Sequence, residues 1–320
     1  MSVLLLSGGV GGARMARGLA AALPADALKV LVNTGDDFDH YGLRICPDLD
    51  TVTYTLGGVS DEERGWGRRD ESWAFLDSLG ALGGETWFQL GDRDMALHVL
   101  RSWMLRQGSR PTEIAAHMAT RFGIAATLLP MADEPVATML ETDRGLLSFQ
   151  DYFVRHRGGP KVRSVRFDGV AQAAPTAELR AALADPALEM IVIAPSNPFL
   201  SIDPILAVPG LRDALSGAGV PVVAVSPIVG GAAVKGPLAA ILEGYGLAVS
   251  PVSIAAHYRG LLDGFVIDEA DAALAGGFGA DAPPVLATGT MMTGPEASRR
   301  LADAVLAFGR DLAGTVGHGR

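Results

Sequence analysis

Five carboxylates, Asp36, Asp37, Asp39, Asp48 and Asp50, crowd one short stretch, Asn33-Thr-Gly-Asp-Asp-Phe-Asp-His-Tyr-Gly-Leu-Arg-Ile-Cys-Pro-Asp-Leu-Asp-Thr51. Acids that close repel one another unless a cation or hydrogen-bond donors compensate. A hard divalent ion such as Mg²⁺ is the natural compensator, because it takes oxygen ligands and bridges to substrate phosphates. The competing reading makes each Asp a turn former or helix cap, with Asp50-Thr51 opening a helix over Val52-Thr-Tyr-Thr-Leu56.

A second stretch suits an anion. Gly8-Gly-Val-Gly-Gly-Ala13 follows Val3-Leu-Leu-Leu-Ser7 and precedes a segment of helical composition. Strand, glycine turn and helix together aim backbone N–H groups and a helix N-terminus at a phosphate. The spacing is neither G-x-G-x-x-G, since Arg14 replaces the last glycine, nor a P-loop, since no Gly-Lys-Ser/Thr is present. Close helix–strand packing is the other reason for such a turn. Further polar turns lie at Gly91-Asp-Arg-Asp94, which contains Asp92, at Pro195-Ser-Asn-Pro198, and at Lys235 beyond Gly230-Gly231. The Pro195 turn also reads as an ordinary Asx-type turn. Trp66, between two glycines, either covers a planar ligand or plugs the edge of the core.

These turns need strands to hold them. Leu28-Lys-Val-Leu-Val32 reads as a buried parallel strand, as do Leu188-Glu-Met-Ile-Val-Ile-Ala194 and Pro221-Val-Val-Ala-Val225. Short strands are expected at 86–90, 126–130, 264–268 and 284–288, and a β-hairpin is centred on Asp143-Arg-Gly145 with another antiparallel strand over 161–167. Helices are expected over 71–79, 95–107, 112–122, 177–183, 253–259 and 296–312. On those helices Arg101 and Arg106 read as solvated charges. The alternation predicts an α/β fold: a Rossmann-like, doubly wound, mostly parallel sheet in three layers, with a helical insertion at about 60–125 and a β-hairpin extension. Ligands in such sheets sit beyond the carboxyl ends of the strands. The motifs run the whole length, so residues 1–320 are read as a single domain.

Composition narrows the function classes. The chain of 320 residues is 49% hydrophobic and 19% charged, with formal net charge −10. An acidic surface does not coat nucleic acid. No apolar run reaches membrane-spanning length and no basic leader precedes the first strand, which predicts a cytoplasmic protein with no membrane partner. The single cysteine, Cys46, excludes an intramolecular disulfide and a cysteine zinc cage and reads as a packing residue. His40, His98, His117, His156, His257 and His318 show no zinc spacing.

Taken together, several of these stretches resemble the 2-phospho-L-lactate transferases (CofD, called FbiA in actinobacteria) of coenzyme F-420 biosynthesis. The resemblance rests on Gly8-Gly-Val-Gly-Gly-Ala13, Asn33-Thr-Gly-Asp-Asp37, Cys46-Pro-Asp-Leu-Asp-Thr51, Arg64-Gly-Trp-Gly67, Leu90-Gly-Asp-Arg-Asp94, Ala194-Pro-Ser-Asn-Pro198 and Val225-Ser-Pro-Ile228. It implies a Mg²⁺-dependent homodimeric enzyme. That enzyme moves a phospho-acyl group from a guanosine-diphosphate-linked donor to the ribityl hydroxyl of the deazaflavin Fo, and GMP leaves. On this reading Gly8, Gly9, Gly11 and Gly12, with Ser196, Asn197, Asp92 and Lys235, contact the donor. Asp36, Asp48 and Asp50 hold Mg²⁺ or orient the hydroxyl, and a carboxylate of the loop, Asp36, Asp37 or Asp50, takes its proton. The lactyl, enolpyruvyl and glyceryl donors are not distinguished. The gluconeogenesis factors share the glycine turn, bind a UDP-sugar and act by regulation, but lack the Cys-Pro-Asp-Leu-Asp-Thr pattern. An NAD-dependent dehydrogenase fails on the glycine spacing.

Overall fold

The structure is a computed structural model, and it describes residues 1–234, 236–279 and 282–316. Lys235 and His318 lie outside the described residues.

In chain order the first half contains β1 (Ser2–Ser7), α1 (Gly9–Ala22), β2 (Leu28–Val32), β3 (Phe38–His40), β4 (Leu43–Ile45), α2 (Pro47–Leu56), α3 (Ala74–Ala81), α4 (Asp92–Arg106), α5 (Pro111–Arg121), β5 (Thr127–Pro130), β6 (Ala137–Thr142) and β7 (Gly145–Ser148). The second half adds β8 (Val162–Asp168), α6 (Ala177–Leu183), β9 (Leu188–Ile193), α7 (Asp203–Leu206), α8 (Leu211–Ser216), β10 (Val222–Val225), β11 (Ile228–Val229), β12 (Ala232–Ala233), α9 (Leu238–Gly244), α10 (Pro251–His257), β13 (Gly264–Asp268), β14 (Val285–Thr288) and α11 (Pro295–Val316).

Seven strands form the central sheet in the order β14-β13-β10-β9-β1-β2-β5, and all neighbours are parallel. The apolar runs are continuous because both faces are covered. Alternate residues divide between two cores. Leu4, Leu6, Leu31, Ile191, Ile193 and Phe265 face one, while Val3, Leu5, Val30, Val32, Val192 and Val223 face the other. The second core is closed by Met15 and Leu19 of α1, Leu49 and Val52 of α2, and Leu301 and Val305 of α11. The first is closed by residues of α6 to α10 and by the antiparallel sheet β7-β6-β8. This is the expected three-layer α/β architecture, with the expected hairpin extended by β8.

The chain builds outward from β1 through β2 to β5, then returns to place β9 on the other side of β1. The crevice between the carboxyl ends of β1 and β9 is thus the topological switch point. Two local expectations differ. The segment 86–90 is not a strand; it leads into α4, which starts at Asp92. Helix α2 starts at Pro47, with Cys46 as N-cap, so Asp50 lies inside it. Proline at the first helical position is preorganised for that place and loses no hydrogen bond there. No helix among the described residues is long and apolar enough to cross a membrane.

Candidate active site

The two turns at the switch point are tied together by Ser196. Its hydroxyl donates to the Gly8 carbonyl at 2.7 Å and accepts the Gly8 N–H at 3.3 Å. The glycines between them have different reasons. A Cβ on Gly11 would lie 2.7 Å from the Pro195 carbonyl oxygen, and one on Gly12 would lie 2.3 Å from Ser7 Oγ. Those two positions are closed by the protein itself. Gly9 has φ +62° and nothing within 4 Å of a Cβ, so it faces open space at the first turn of α1. On the β9 side, Asn197 Oδ1 caps the turn that follows by accepting from Phe199 and Leu200 N–H, while its buried Nδ2 has no partner.

Beyond β2, Asn33 acts as a hub. Its Nδ2 donates to Asp48 Oδ2 at 2.9 Å and to the Leu200 carbonyl at 3.4 Å, and its Oδ1 accepts the Gly35 N–H at 2.8 Å. Asp48 Oδ1 accepts the Gly9 N–H at 2.8 Å. Gln150 Nε2 holds the Asp36 carbonyl at 3.0 Å. Asp36 and Asp48 are both buried, and Asp36 Oδ1 has no hydrogen-bond partner. Burial, then the neighbouring Asp48, pushes Asp36 well above the usual carboxylate range against a hydrogen bond from Asn33. Burial likewise raises Asp48 to about 6, opposed by the bonds from Asn33 and Gly9. Two buried acids with an orphaned oxygen, set against a helix N-terminus, fit a divalent cation that completes its coordination with phosphate oxygens and water.

Asp50 does not join them. Residues two apart on a helix point about 200° apart, and Asp50 faces α4. Arg101 Nη1 donates to its Oδ2 at 3.0 Å and Arg101 Nη2 to its Oδ1. The same guanidinium reaches the Arg44 carbonyl at 3.3 Å. His98 sits between, with Nδ1 3.7 Å from Asp50 and Nε2 3.3 Å from Asp94, which also accepts from the Tyr54 hydroxyl. Of the expected Asp36–Asp48–Asp50 set, the structure brings Asp36 and Asp48 together, while Asp50 is the buried half of an ion pair with Arg101, turned away from them. Among the described residues no three of His, Cys, Asp and Glu converge on a metal position.

Arg101 is the buried ion-pair partner that the reading of α4 as a solvated helix missed; it is 3% exposed. Its signal was the polar stripe Asp94, His98, Arg101, which repeats at helical spacing. Asp37 turns toward this group rather than toward Asp36. Burial raises it to about 7, against Arg44, the Cys46 thiol and Arg101. Cys46 itself is buried, and burial holds its thiol well above its ordinary value, which makes it a packing residue.

Other expected contacts lie elsewhere. Asp92 accepts from Ser72 Oγ at 2.6 Å and from the Ala74 and Phe75 N–H groups, so both its oxygens order the start of α3. Asp39 is exposed and pairs with Arg44 at 3.5 Å. Trp66 is exposed, and the Arg64 guanidinium lies 5.0 Å from both the Trp66 and Trp73 rings.

The sequence profile described as 2-phospho-L-lactate transferase CofD matches residues 3–276. A phosphoenolpyruvate transferase of Streptomyces coelicolor is 43% identical over 278 residues, 85% of this chain and 86% of its own. One from Kitasatospora aureofaciens is 41% identical over the full length of both chains. A 2-phospho-L-lactate transferase of Methanosarcina mazei is 39% identical over 95% of this chain and 99% of its own. Among solved structures, a member of the UPF0052 family from Bacillus halodurans superposes with a TM-score of 0.56 at 16% identity, covering 95% of this chain and 98% of that one, a likeness of fold. With a phosphate-type turn at the switch point, a buried acid pair facing it and relatives of this identity along its length, the chain belongs to the 2-phospho-L-lactate transferase CofD family.

Proposed function

We propose that this protein is a phospho-acyl transferase that moves the group from a guanosine-diphosphate-linked donor to the terminal ribityl hydroxyl of Fo and releases GMP. The observation that carries this reading is the Asp36–Asp48 pair set against the Gly8–Gly9 turn, in a chain whose relatives are named for transfer of phosphoenolpyruvate or 2-phospho-L-lactate.

The first-turn N–H groups of α1 lack intrahelical partners and suit the donor diphosphate. Asn197 Nδ2, buried and unpaired, supplies a further hydrogen bond from the β9 side. Asp36 and Asp48 would hold Mg²⁺, which when bound neutralises charge on the diphosphate. The acceptor oxygen bonds to the phosphorus that carries the acyl group, and the bond from that phosphorus to the bridging oxygen of GMP breaks. The hydroxyl proton passes to Asp36, whose carboxyl burial raises above the usual range. Such a displacement is mostly positioning and charge neutralisation.

The test is turnover of the purified protein with Fo and, separately, the guanylylated 2-phospholactate, phosphoenolpyruvate and phosphoglycerate donors, read by mass spectrometry before and after chelation. Condensation with at least one donor, lost on chelation, is expected. No product from any of them, with tight binding of a UDP-sugar instead, would replace the transferase by a regulatory binding protein. A homodimer is the proposed assembly, checked by light scattering.

A further inference from the structure

The two acids of the pair are held in different ways. Asp48 rides on helix α2, and both its oxygens accept hydrogen bonds, from Gly9 and from Asn33. Asp36 lies on the loop that leaves β2, and among the described residues its Oδ1 has no hydrogen-bond partner. Burial, then the charge of Asp48, disfavours its ionised form. An unrestrained Asp36 would therefore swing away from Asp48. Its main chain must supply the restraint.

The antiparallel sheet provides it at two successive carbonyls. The Thr138 N–H of β6 donates to the Gly35 carbonyl at 2.7 Å, and Gln150 Nε2 donates to the Asp36 carbonyl at 3.0 Å. β7 pairs with β6 only over Met139–Thr142, so at Thr138 the edge of β6 is free and the acidic loop takes it. Gly35 permits that approach, since a Cβ there would lie 2.6 Å from Thr138 Oγ1 and 3.0 Å from Asn33 Oδ1. The two gripped carbonyls belong to the peptide planes on either side of the Asp36 Cα. Fixing both planes fixes φ and ψ of Asp36, and with them the direction of its side chain.

Gln150 is itself braced. It is 4% exposed and stands between β7 and a single wide helical turn, Asp151–Arg155. Ser148 Oγ donates to Asp151 Oδ2 at 2.8 Å and accepts the Asp151 N–H at 3.2 Å. Tyr152, fully buried in the first core, pins the turn from the other side.

We infer that Gln150 is a positioning residue for the transfer: with Thr138 it holds the Asp36 main chain from the antiparallel sheet and keeps the Asp36 carboxylate facing Asp48 before any cation binds. This rests on the acid pair being the reaction centre proposed above. A site whose groups are held in place beforehand loses nothing to rearrangement when the ligands arrive. The hairpin extension thus contributes to the reaction without touching a substrate.

Gln150→Met keeps the length of the side chain and removes its donor. Thr142→Val is the control: it removes a buried bond of similar kind, from Thr142 Oγ1 to the Gly145 carbonyl at 2.7 Å, at the other end of β6. Each is compared with the parent in melting temperature, amide hydrogen exchange over residues 34–38, Mn²⁺ affinity by electron paramagnetic resonance with GDP present, and kcat and KM for Fo. Gln150→Met should speed exchange in that segment and lower Mn²⁺ affinity and kcat about tenfold to a hundredfold, the usual scale for groups that orient a metal ligand. KM for Fo should stay unchanged. Thr142→Val should lose a similar amount of melting temperature and match the parent in the rest. Should Gln150→Met fail to fold, Gly35→Ala, whose methyl meets Thr138 Oγ1, loosens the same grip and is read in the same way. A folded Gln150→Met protein that turns over like the parent overturns the inference and leaves the transferase reading standing. A parent that binds Mn²⁺ but never condenses Fo, with faster exchange and weaker Mn²⁺ binding in Gln150→Met, leaves the positioning standing and removes the transferase reading. Equal losses in Thr142→Val would reduce Gln150 to a packing residue.

Discussion

Asp48 accepts the Gly9 N–H at 2.8 Å with one oxygen and Asn33 Nδ2 at 2.9 Å with the other. The first acid of α2 thus lies against the N-terminus of α1, joining the acidic stretch to the glycine turn. A negative charge there is stabilised by the macrodipole. It also occupies an N–H that a diphosphate would otherwise take.

That arrangement makes the two acids equivalent in importance and different from Asp50. Asp36→Asn and Asp48→Asn should each lower kcat by about a hundredfold or more, the usual scale for losing electrostatic stabilisation of a transition state. Neither should lower the melting temperature much, because each removes a repulsive buried charge. Turnover of either variant within about threefold of the parent would dismiss the pair as the reaction centre.

Asp50 behaves in the opposite way. Asp50→Asn leaves the Arg101 guanidinium buried with half its partner, and breaking a buried pair from one side costs about 3–5 kcal/mol. Asp50→Leu combined with Arg101→Met should recover most of that loss, since well-packed apolar replacements of a buried pair are often neutral. Denaturant unfolding of the single and double variants measures both. A single variant as stable as the parent would mean that the pair contributes little.

The glycines separate packing from binding. Gly11→Ala drives a methyl against the Pro195 carbonyl, at 2.7 Å, and should cost on the order of 1–3 kcal/mol of stability. Gly9→Ala meets no neighbour; its positive φ costs about 1–2 kcal/mol, and its methyl stands in the space open to a ligand. GDP affinity by calorimetry should therefore fall about tenfold or more for Gly9→Ala. Unchanged GDP affinity in that variant would remove the turn from the donor site.

Stability should depend on pH in an unusual direction. The folded-state values of Asp36, Asp37 and Asp48 are raised from 3.8, to about 7 for Asp37 and about 6 for Asp48. Between about pH 4 and pH 7 the folded protein therefore holds more protons than the unfolded chain. Its stability is greatest below about pH 4 from these groups and falls as pH rises through the window, by on the order of a few kcal/mol. Asp94, Asp185 and Asp268 are held below the usual range, and their opposite contribution lies below that window. Millimolar Mg²⁺ should offset the loss, raising the melting temperature more at pH 8 than at pH 5. A melting temperature that climbs steadily from pH 4 to pH 7, or a Mg²⁺ effect equal at both ends, would contradict this.

The strands were readable because burial on both faces leaves continuous Val, Ile and Leu runs, as in β2 and β9, and the position of each polar turn then follows from strand polarity. Within the acidic stretch, composition located the site but did not sort it. Asp50-Thr51 imitates a helix start, and only Pro47 at the first helical position fixes the phase that sends Asp48 and Asp50 to opposite sides. The polar stripe on α4 marked Arg101, but its partner, 51 residues away, was beyond local reading. Asp92 looked like a ligand at a strand end because 86–90 resembles a strand; its partners are instead Ser72 and the first two residues of α3. Asn33 reads as an ordinary polar residue until three segments converge on its amide.

Helix α1 presents Gly18 to α11 so closely that a Cβ there would lie 2.2 Å from the Ser298 carbonyl oxygen. The first helix made is thus clamped by the last. On a ribosome adding about 5–20 residues per second, roughly a quarter to one minute separates the emergence of these two surfaces. For that interval the part of α1 around Gly18 that meets α11 lacks its final neighbour. Contacts of such long sequence separation also slow the search for the native state. A nonsense product ending before Pro295 would therefore carry the glycine turn and the acid pair without the helix that packs against Gly18 of α1.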